Sequence, residues 1–295
     1  MTAWSDNYWW SNDGLRLHFR DYAESDAAPD AGKPPIICIP GLTRNARDFE
    51  GVAERLAGRW RVICVDLRGR GESAFAKDPM TYVPLTYIQD LEALLRELAV
   101  DRFVLFGTSL GGLLSMLLTA AERPRIAGVL INDVGPVPDD SGLARIRTYV
   151  GKSQTWPTWV HAARDLSDLH KVAHPSWSLE DWLVYAKRVG KLNNSGRVVL
   201  DYDMRIAEPF KLAPTGGVDL WPVWRALSGR PTLITRGETS DILTPPVLEQ
   251  MLAEHDQAEA VVVPGVGHAP TLDEPEAQAG IDRLLARVEE HLAVA

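Results

Sequence analysis

Three side chains in this sequence have the types and settings of an activated nucleophile: Ser109, His268 and Asp241. A serine attacks carbonyl carbon only when a base takes its proton, and that base needs a third group to fix its tautomer. Ser109 stands in Gly-Thr-Ser-Leu-Gly at positions 107–111, behind the apolar run 103–106 and ahead of the nearly all-apolar stretch 110–121. The run reads as a buried strand and the stretch as a buried helix. A turn this sharp between strand and helix has no room for side chains beside the serine, which accounts for Gly107 and Gly111. It lifts the hydroxyl off the sheet edge and aims the first helix amides at whatever binds there.

The base and its acid must come from the carboxyl ends of later strands, where an open α/β sheet gathers its ligands. Of seven histidines, His268 alone follows a strand-like run (261–263) in a tight loop, flanked by Gly265 and Gly267. Asp241 follows the strand-like run 232–235 and has the loop position to reach the imidazole from the side opposite Ser109. Asp133, directly after the run 126–131, is a rival that also lies between Ser109 and His268 in the chain; loop position favours Asp241. Glu238 is a third carboxylate, earlier in the same loop as Asp241. An oxyanion needs two fixed N–H donors. The amide of Leu110 follows the nucleophile, and the loop after the run 36–39 offers the amide of Leu42, with Gly41 keeping the backbone close. Arg44 and Asn45 follow in that loop, and Gly41 and Arg44 are expected to touch substrate.

The elements that must hold these groups are legible as a rhythm. An alternating segment at 15–20 reads as an antiparallel edge strand, followed by a turn rich in Pro, Gly and Asp at 29–35. From there buried strand-like runs (36–39, 62–65, 103–106, 126–131) alternate with helical spacings such as Ile88, Leu91, Leu95 and Leu98. Strands buried on both faces and separated by helices mean a parallel sheet wound by right-handed crossovers. The rhythm breaks between about 135 and 220 in a Trp-rich stretch with short helical patterns and no convincing buried strand. It resumes at 232–235 and 260–263 and ends in an amphipathic helix carrying Ile281, Leu284, Leu285, Val288 and Leu292 on one face.

These motifs together resemble the α/β-hydrolase fold superfamily, in its lid-bearing serine hydrolases. The resemblance rests on Ile-Pro-Gly-Leu-Thr at 39–43, Asp-Leu-Arg-Gly-Arg-Gly-Glu-Ser at 66–73, Gly-Thr-Ser-Leu-Gly-Gly at 107–112, Arg-Gly-Glu-Thr-Ser-Asp at 236–241 and Gly267-His268. It implies a mostly parallel eight-stranded sheet flanked by helices, with a core over 1–134 and 219–295 and a helical lid over 135–218, inserted after the sixth strand. It also implies the chain order Ser…Asp…His. Many relatives have His-Gly where this chain has Pro40-Gly41. The 66–73 run is expected to be a structural Arg/Asp turn network.

Relatives that open epoxides or remove halide carry Asp at the elbow; a serine there would form a stable ether. Ser109 therefore points to acyl chemistry on a small, apolar or aromatic carboxylic ester or lactone, with an aromatic-lined pocket in which Trp156 and Trp159 are candidates. The alternatives are carbon–carbon cleavage of a vinylogous diketo acid and a non-catalytic receptor on the same fold. No metal or other cofactor is expected, since no ligand-spaced cluster is present. The formal net charge of −9 argues against nucleic acid and membrane surfaces as partners and leaves a small molecule. Cys38 and Cys64 each sit in an apolar run and read as buried thiols. With no basic-then-apolar leader and no run near the roughly 18 apolar residues of a spanning helix, a cytoplasmic location is expected.

Overall fold

The computed structural model describes residues 4–22, 32–212 and 219–294. The first three residues, positions 29–31 of the expected Pro/Gly/Asp turn and the end of the expected insertion at 213–218 lie outside the described residues. Along the chain the elements are β1 (Ser5–Trp10), β2 (Arg16–Tyr22), β3 (Ile36–Ile39), α1 (Glu50–Leu56), β4 (Val62–Asp66), α2 (Pro84–Glu97), β5 (Phe103–Thr108), α3 (Leu110–Glu122) and β6 (Ile126–Asn132). There follow α4 (Asp140–Tyr149), β7 (Thr155–Trp156), α5 (Trp159–His170), α6 (Leu179–Val189), β8 (Gly190–Leu192), β9 (Val198–Leu200), α7 (Ala207–Leu212) and α8 (Trp221–Ala226). The chain closes with β10 (Thr232–Gly237), α9 (Pro245–Ala253), β11 (Ala258–Val263) and α10 (Pro275–Val294).

Eight strands form one sheet in the order β1-β2-β4-β3-β5-β6-β10-β11. From β4 to β11 every pairing is parallel, while β1–β2 and β2–β4 are antiparallel. The 15–20 segment is thus not the edge strand its alternation suggests: β1 pairs along its outer side, and Trp9 of β1 anchors there by donating its indole N–H to the Asp90 carbonyl at 2.9 Å.

The strand period of two divides the core between the faces. Ile37, Ile39, Ile63, Val65 and Leu105 pack with Leu91, Leu95 and Trp224 from α2 and α8. Their neighbours Ile36, Cys38, Val62, Cys64, Val104 and Phe106 pack with Val52, Ala53, Ile281 and Leu284 from α1 and α10. A strand that serves two cores cannot alternate polar with apolar, which is why these segments read as continuous apolar runs. Among the described residues no helix is long and apolar enough to cross a membrane.

Residues 135–212 pack against the carboxyl side of the sheet and have a core of their own, built from Trp156, Ala162, Ala163, Leu166, Trp182, Ala186 and Val198. This segment is not wholly helical. Three short strands, β7-β9-β8, form an antiparallel sheet of their own. Strands of two and three residues carry too few positions to show a period, so the sequence left them unseen.

The loop after β4 ties the fold beneath the site. Arg68 donates Nε and Nη2 to Asp90 at 2.7 Å each, and Nη1 and Nη2 to Asp13 at 2.9 Å. Asp66 accepts from the amides of Ala46 at 2.6 Å and Glu72 at 2.9 Å, and lies 2.7 Å from His18 Nδ1. Arg70, fully buried, donates Nε to the Leu42 carbonyl at 2.9 Å. This network holds the 40–46 loop from below.

Candidate active site

Ser109 joins β5 to α3 with φ 54° and ψ −115°, a strained backbone held by what surrounds it. Its amide donates to the Asn132 carbonyl at 2.9 Å, while its own carbonyl accepts from Gly112 and Leu113. The glycines are sterically required. A Cβ on Gly107 would lie 2.3 Å from the Gly111 carbonyl oxygen, and one on Gly111 would lie 1.9 Å from that of Ile39. The first turn of α3 is therefore pressed against both β5 and β3, and the serine has nowhere to point but outward.

His268 arrives from the loop after β11. Gly265, at φ 66°, donates its amide to Glu238 Oε2 at 2.7 Å, and the Gly267 amide donates to the Ala173 carbonyl at 2.7 Å. Glu238 therefore braces the histidine loop. The His268 Nε2 lies 2.9 Å from Ser109 Oγ and its Nδ1 lies 2.7 Å from Asp133 Oδ2. A carboxylate accepts only, so Nδ1–H donates to Asp133 and Nε2 is left to accept from the serine hydroxyl. Asp133 has no exposed side-chain surface. The Gly237 amide donates to its Oδ1 at 2.9 Å and the Ser240 hydroxyl to its Oδ2 at 2.7 Å.

The carboxylate that meets the imidazole is thus Asp133, and the sequence-based choice of Asp241 is corrected. Asp241 instead accepts both Nε and Nη2 of Arg145 in α4, at 2.5 and 2.8 Å, with a third of its side chain exposed. Burial pushes its carboxyl up, but the bonds and charge of Arg145 outweigh this and hold it below the usual range. The reason for the exchange is register. Thr108 pairs with Asn132 across β5 and β6, so Ser109 and Asp133 leave adjacent strands at the same height. Asp241 comes four residues after β10 ends, beyond the line of the ring. The β10 loop contributes the two donors that hold Asp133 instead of supplying the acid. Asn132 fastens the arrangement by donating to the Pro270 carbonyl at 2.9 Å and accepting from Thr235 Oγ1 at 2.7 Å.

Leu110 opens α3 and Leu42 lies in the loop after β3. As the first residue of α3, Leu110 has an amide without an intrahelical acceptor, and among the described residues neither it nor the Leu42 amide donates to a protein atom. The 40–44 backbone runs beside the nucleophile, since a Cβ on Gly41 would lie 3.7 Å from Ser109 Cβ and 3.4 Å from Arg44 Cγ.

Ser109 and His268 open on a cavity of about 290 Å³. Gly41 and Arg44 line it as expected; Trp156 and Trp159 do not. Trp156 is buried in the core of the insertion with its indole N–H donating to Asp165 at 2.6 Å, and Trp159 packs against that core. Large aromatic rings in a thin insertion are needed to hold it together, and that need absorbs these two. The aromatic wall comes from Tyr149, Tyr185 and Tyr202, with His170 and His174. Composition gave no sign of these histidines. Burial, then the nearby charge of Arg44, pushes His170 down to about 3 and His174 down to about 4, so both rings are neutral at neutral pH.

The sequence profile described as the Alpha/beta hydrolase family matches residues 36–281, and this chain belongs to that family. It is 34% identical over 248 residues to the 3-hydroxybutyrate-oligomer hydrolase of Cupriavidus necator, a match spanning 81% of this chain and 84% of that protein. It is 28% identical over 247 residues to the 2-(acetamidomethylene)succinate hydrolase of Mesorhizobium japonicum, over 82% of this chain and 84% of that one. The crystal structure of an alpha/beta hydrolase from Novosphingobium aromaticivorans superposes with a TM-score of 0.92 at 54% identity, covering 97% of this chain and 99% of that one.

Proposed function

We propose that the protein hydrolyses small carboxylic esters or lactones through an acyl-enzyme on Ser109. The observation that carries this reading is the unbroken line from Ser109 through His268 to buried Asp133, at 2.9 and 2.7 Å, opening on a cavity beside the Leu42 and Leu110 amides, which donate to no protein atom among the described residues. As Ser109 Oγ attacks the carbonyl carbon, its proton passes to His268 Nε2. The tetrahedral oxyanion accepts from the Leu42 and Leu110 amides. His268 then returns the proton to the leaving alcohol oxygen. Water repeats the sequence on the acyl-enzyme, and the acid leaves. Asp133 keeps the proton on Nδ1 throughout and stabilises the imidazolium, while Ser240 and the Gly237 amide position Asp133. Ester chemistry also agrees with the name of the Cupriavidus relative, since an oligomer of a hydroxy acid is joined through ester links.

In this reading residues 135–218 are the lid, and the bond from Gly267 to Ala173 couples it to the histidine loop. In the same reading the partner is a small-molecule substrate, with neither nucleic acid nor membrane.

The test is labelling by a fluorophosphonate together with a panel of esters, lactones and thioesters of graded size. The expected result is stoichiometric labelling of Ser109, lost in Ser109→Ala, with ester or lactone turnover that the same variant abolishes. Ser109→Ala turning over at the wild-type rate would end the serine mechanism. Cleavage of a vinylogous diketo acid with no ester turnover would replace this reading with carbon–carbon hydrolysis. Ligand binding without labelling would make the protein a receptor.

A further inference from the structure

The cavity is charged against the sign of the molecule. The chain carries a formal net charge of −9, yet Arg44, Lys152 and Arg188 line the cavity against one carboxylate, Asp48. Arg188 is taken up by Asp273, which does not line the cavity, at 3.2 Å. Arg44 gives Nε and Nη2 to the same oxygen of Asp48, leaving Nη1 without a carboxylate partner among the described residues. Lys152 forms no ion pair among the described residues. The two cations therefore face the cavity with one negative charge between them.

Arg44 is also held in place. Its guanidinium carbon lies 4.5 Å over the Tyr185 ring, and its side chain is 22% exposed. A stacked, braced guanidinium has surrendered its rotamer freedom before any ligand arrives, so less is lost when it accepts an anion. Its stem begins beside Ser109, as the shared approach of both residues to Gly41 shows. An anion met by its head and a carbonyl met by Ser109 Oγ would thus be joined by a short chain. The two histidines in the wall are neutral and contribute no charge of their own at neutral pH.

We infer that this cavity selects esters bearing a free carboxylate, which Arg44 receives with Lys152 as the second cation. The substrate class is the short-chain half-ester or the hydroxy-acid ester with a free acid end, in place of the apolar or aromatic ester that the Trp content suggests. The inference rests on the ester-hydrolase reading above and specifies its substrate.

The experiment compares monoethyl glutarate with its neutral isostere, the corresponding monoethyl ester amide, on the full-length protein. Hydrogen bonds to a charged group contribute about 1.5–3 kcal/mol, so kcat/KM should favour the acid by about 10- to 100-fold. Arg44→Gln should lower that acid-to-amide ratio by at least about tenfold, chiefly through KM for the acid, and Arg44→Lys should restore part of it. Lys152→Met should lower the ratio as well, and it leaves the Arg44–Asp48–Tyr185 packing untouched should Arg44→Gln disturb the loop. Fluorophosphonate labelling of each variant verifies that its site is assembled. An amide cleaved as well as the acid by a labelled enzyme, or a ratio unmoved in both Arg44→Gln and Lys152→Met, overturns the carboxylate inference alone. Neither ester cleaved and no labelling overturns the ester reading and this inference with it.

Discussion

Replacing Asp133 by Asn tests the site most directly, because it changes one proton and almost no volume. Asn tolerates the positive φ of 57° at this position, so the backbone has no reason to move. The Gly237 amide still demands an acceptor at Oδ1, which fixes the new amide with its carbonyl oxygen there and its NH2 group facing His268 Nδ1. That NH2 donates, so Nδ1 must accept and the ring proton moves to Nε2. The base then presents an N–H to Ser109 Oγ and has no lone pair for the serine proton. A tautomer reversal of this kind costs about 10⁴ in kcat, or about 5.4 kcal/mol of transition-state stabilisation. Asp241→Asn breaks an ion pair with Arg145, each side chain about a third exposed, that contributes about 1 kcal/mol or less, so its effect on kcat should stay below about tenfold. The assay is steady-state hydrolysis of an activated ester alongside the rate of fluorophosphonate labelling, with circular dichroism to establish folding. A folded Asp133→Asn within tenfold of wild type, or a thousandfold loss in Asp241→Asn, would refute this assignment.

Ser240→Ala removes a donor to the same Asp133 oxygen that His268 meets, and should lower kcat by about 10- to 100-fold with little change in KM; an unchanged kcat in stopped-flow or steady-state assays would show that Gly237 suffices. Gly111→Ala places a methyl 1.9 Å from a carbonyl oxygen and should destabilise the protein by more than about 4 kcal/mol or prevent folding, as read from urea denaturation. His174 is held neutral in the fold, so the unfolded chain binds more protons below its ordinary value of 6.5; stability is full above that pH and falls as the pH drops towards about 4. At pH 5 this loss is about 2 kcal/mol for His174, and His174→Phe should flatten that part of the urea-midpoint profile between pH 7 and 5. His18 acts in the opposite sense, since its two carboxylate partners outweigh burial and raise it, so the comparison is made between wild type and variant.

How far the chain could be read without its fold follows from the range of each constraint. The elbow is local: Gly107, Ser109 and Gly111 lie within five residues, and the forces that demand them act between β5, α3 and the end of β3. The parallel sheet was equally legible, because strands shared by two cores must be apolar throughout. His268 could be found from its glycines and its position after a strand. The acid could not. Asp133 and Asp241 have the same chemistry and the same chain order, and choosing between them needs the register that levels Thr108 with Asn132. The cavity wall was further out of reach. Trp156 is a candidate for ligand contact on composition, but packing within the insertion claims it. His170 and His174 carry no local signal at all, since what brings them to Ser109 is the folding of 135–212 over the sheet. Local sterics and strand burial are written into neighbouring residues; which side chains share a cavity depends on contacts between segments far apart in the chain, and only the assembled fold decides those.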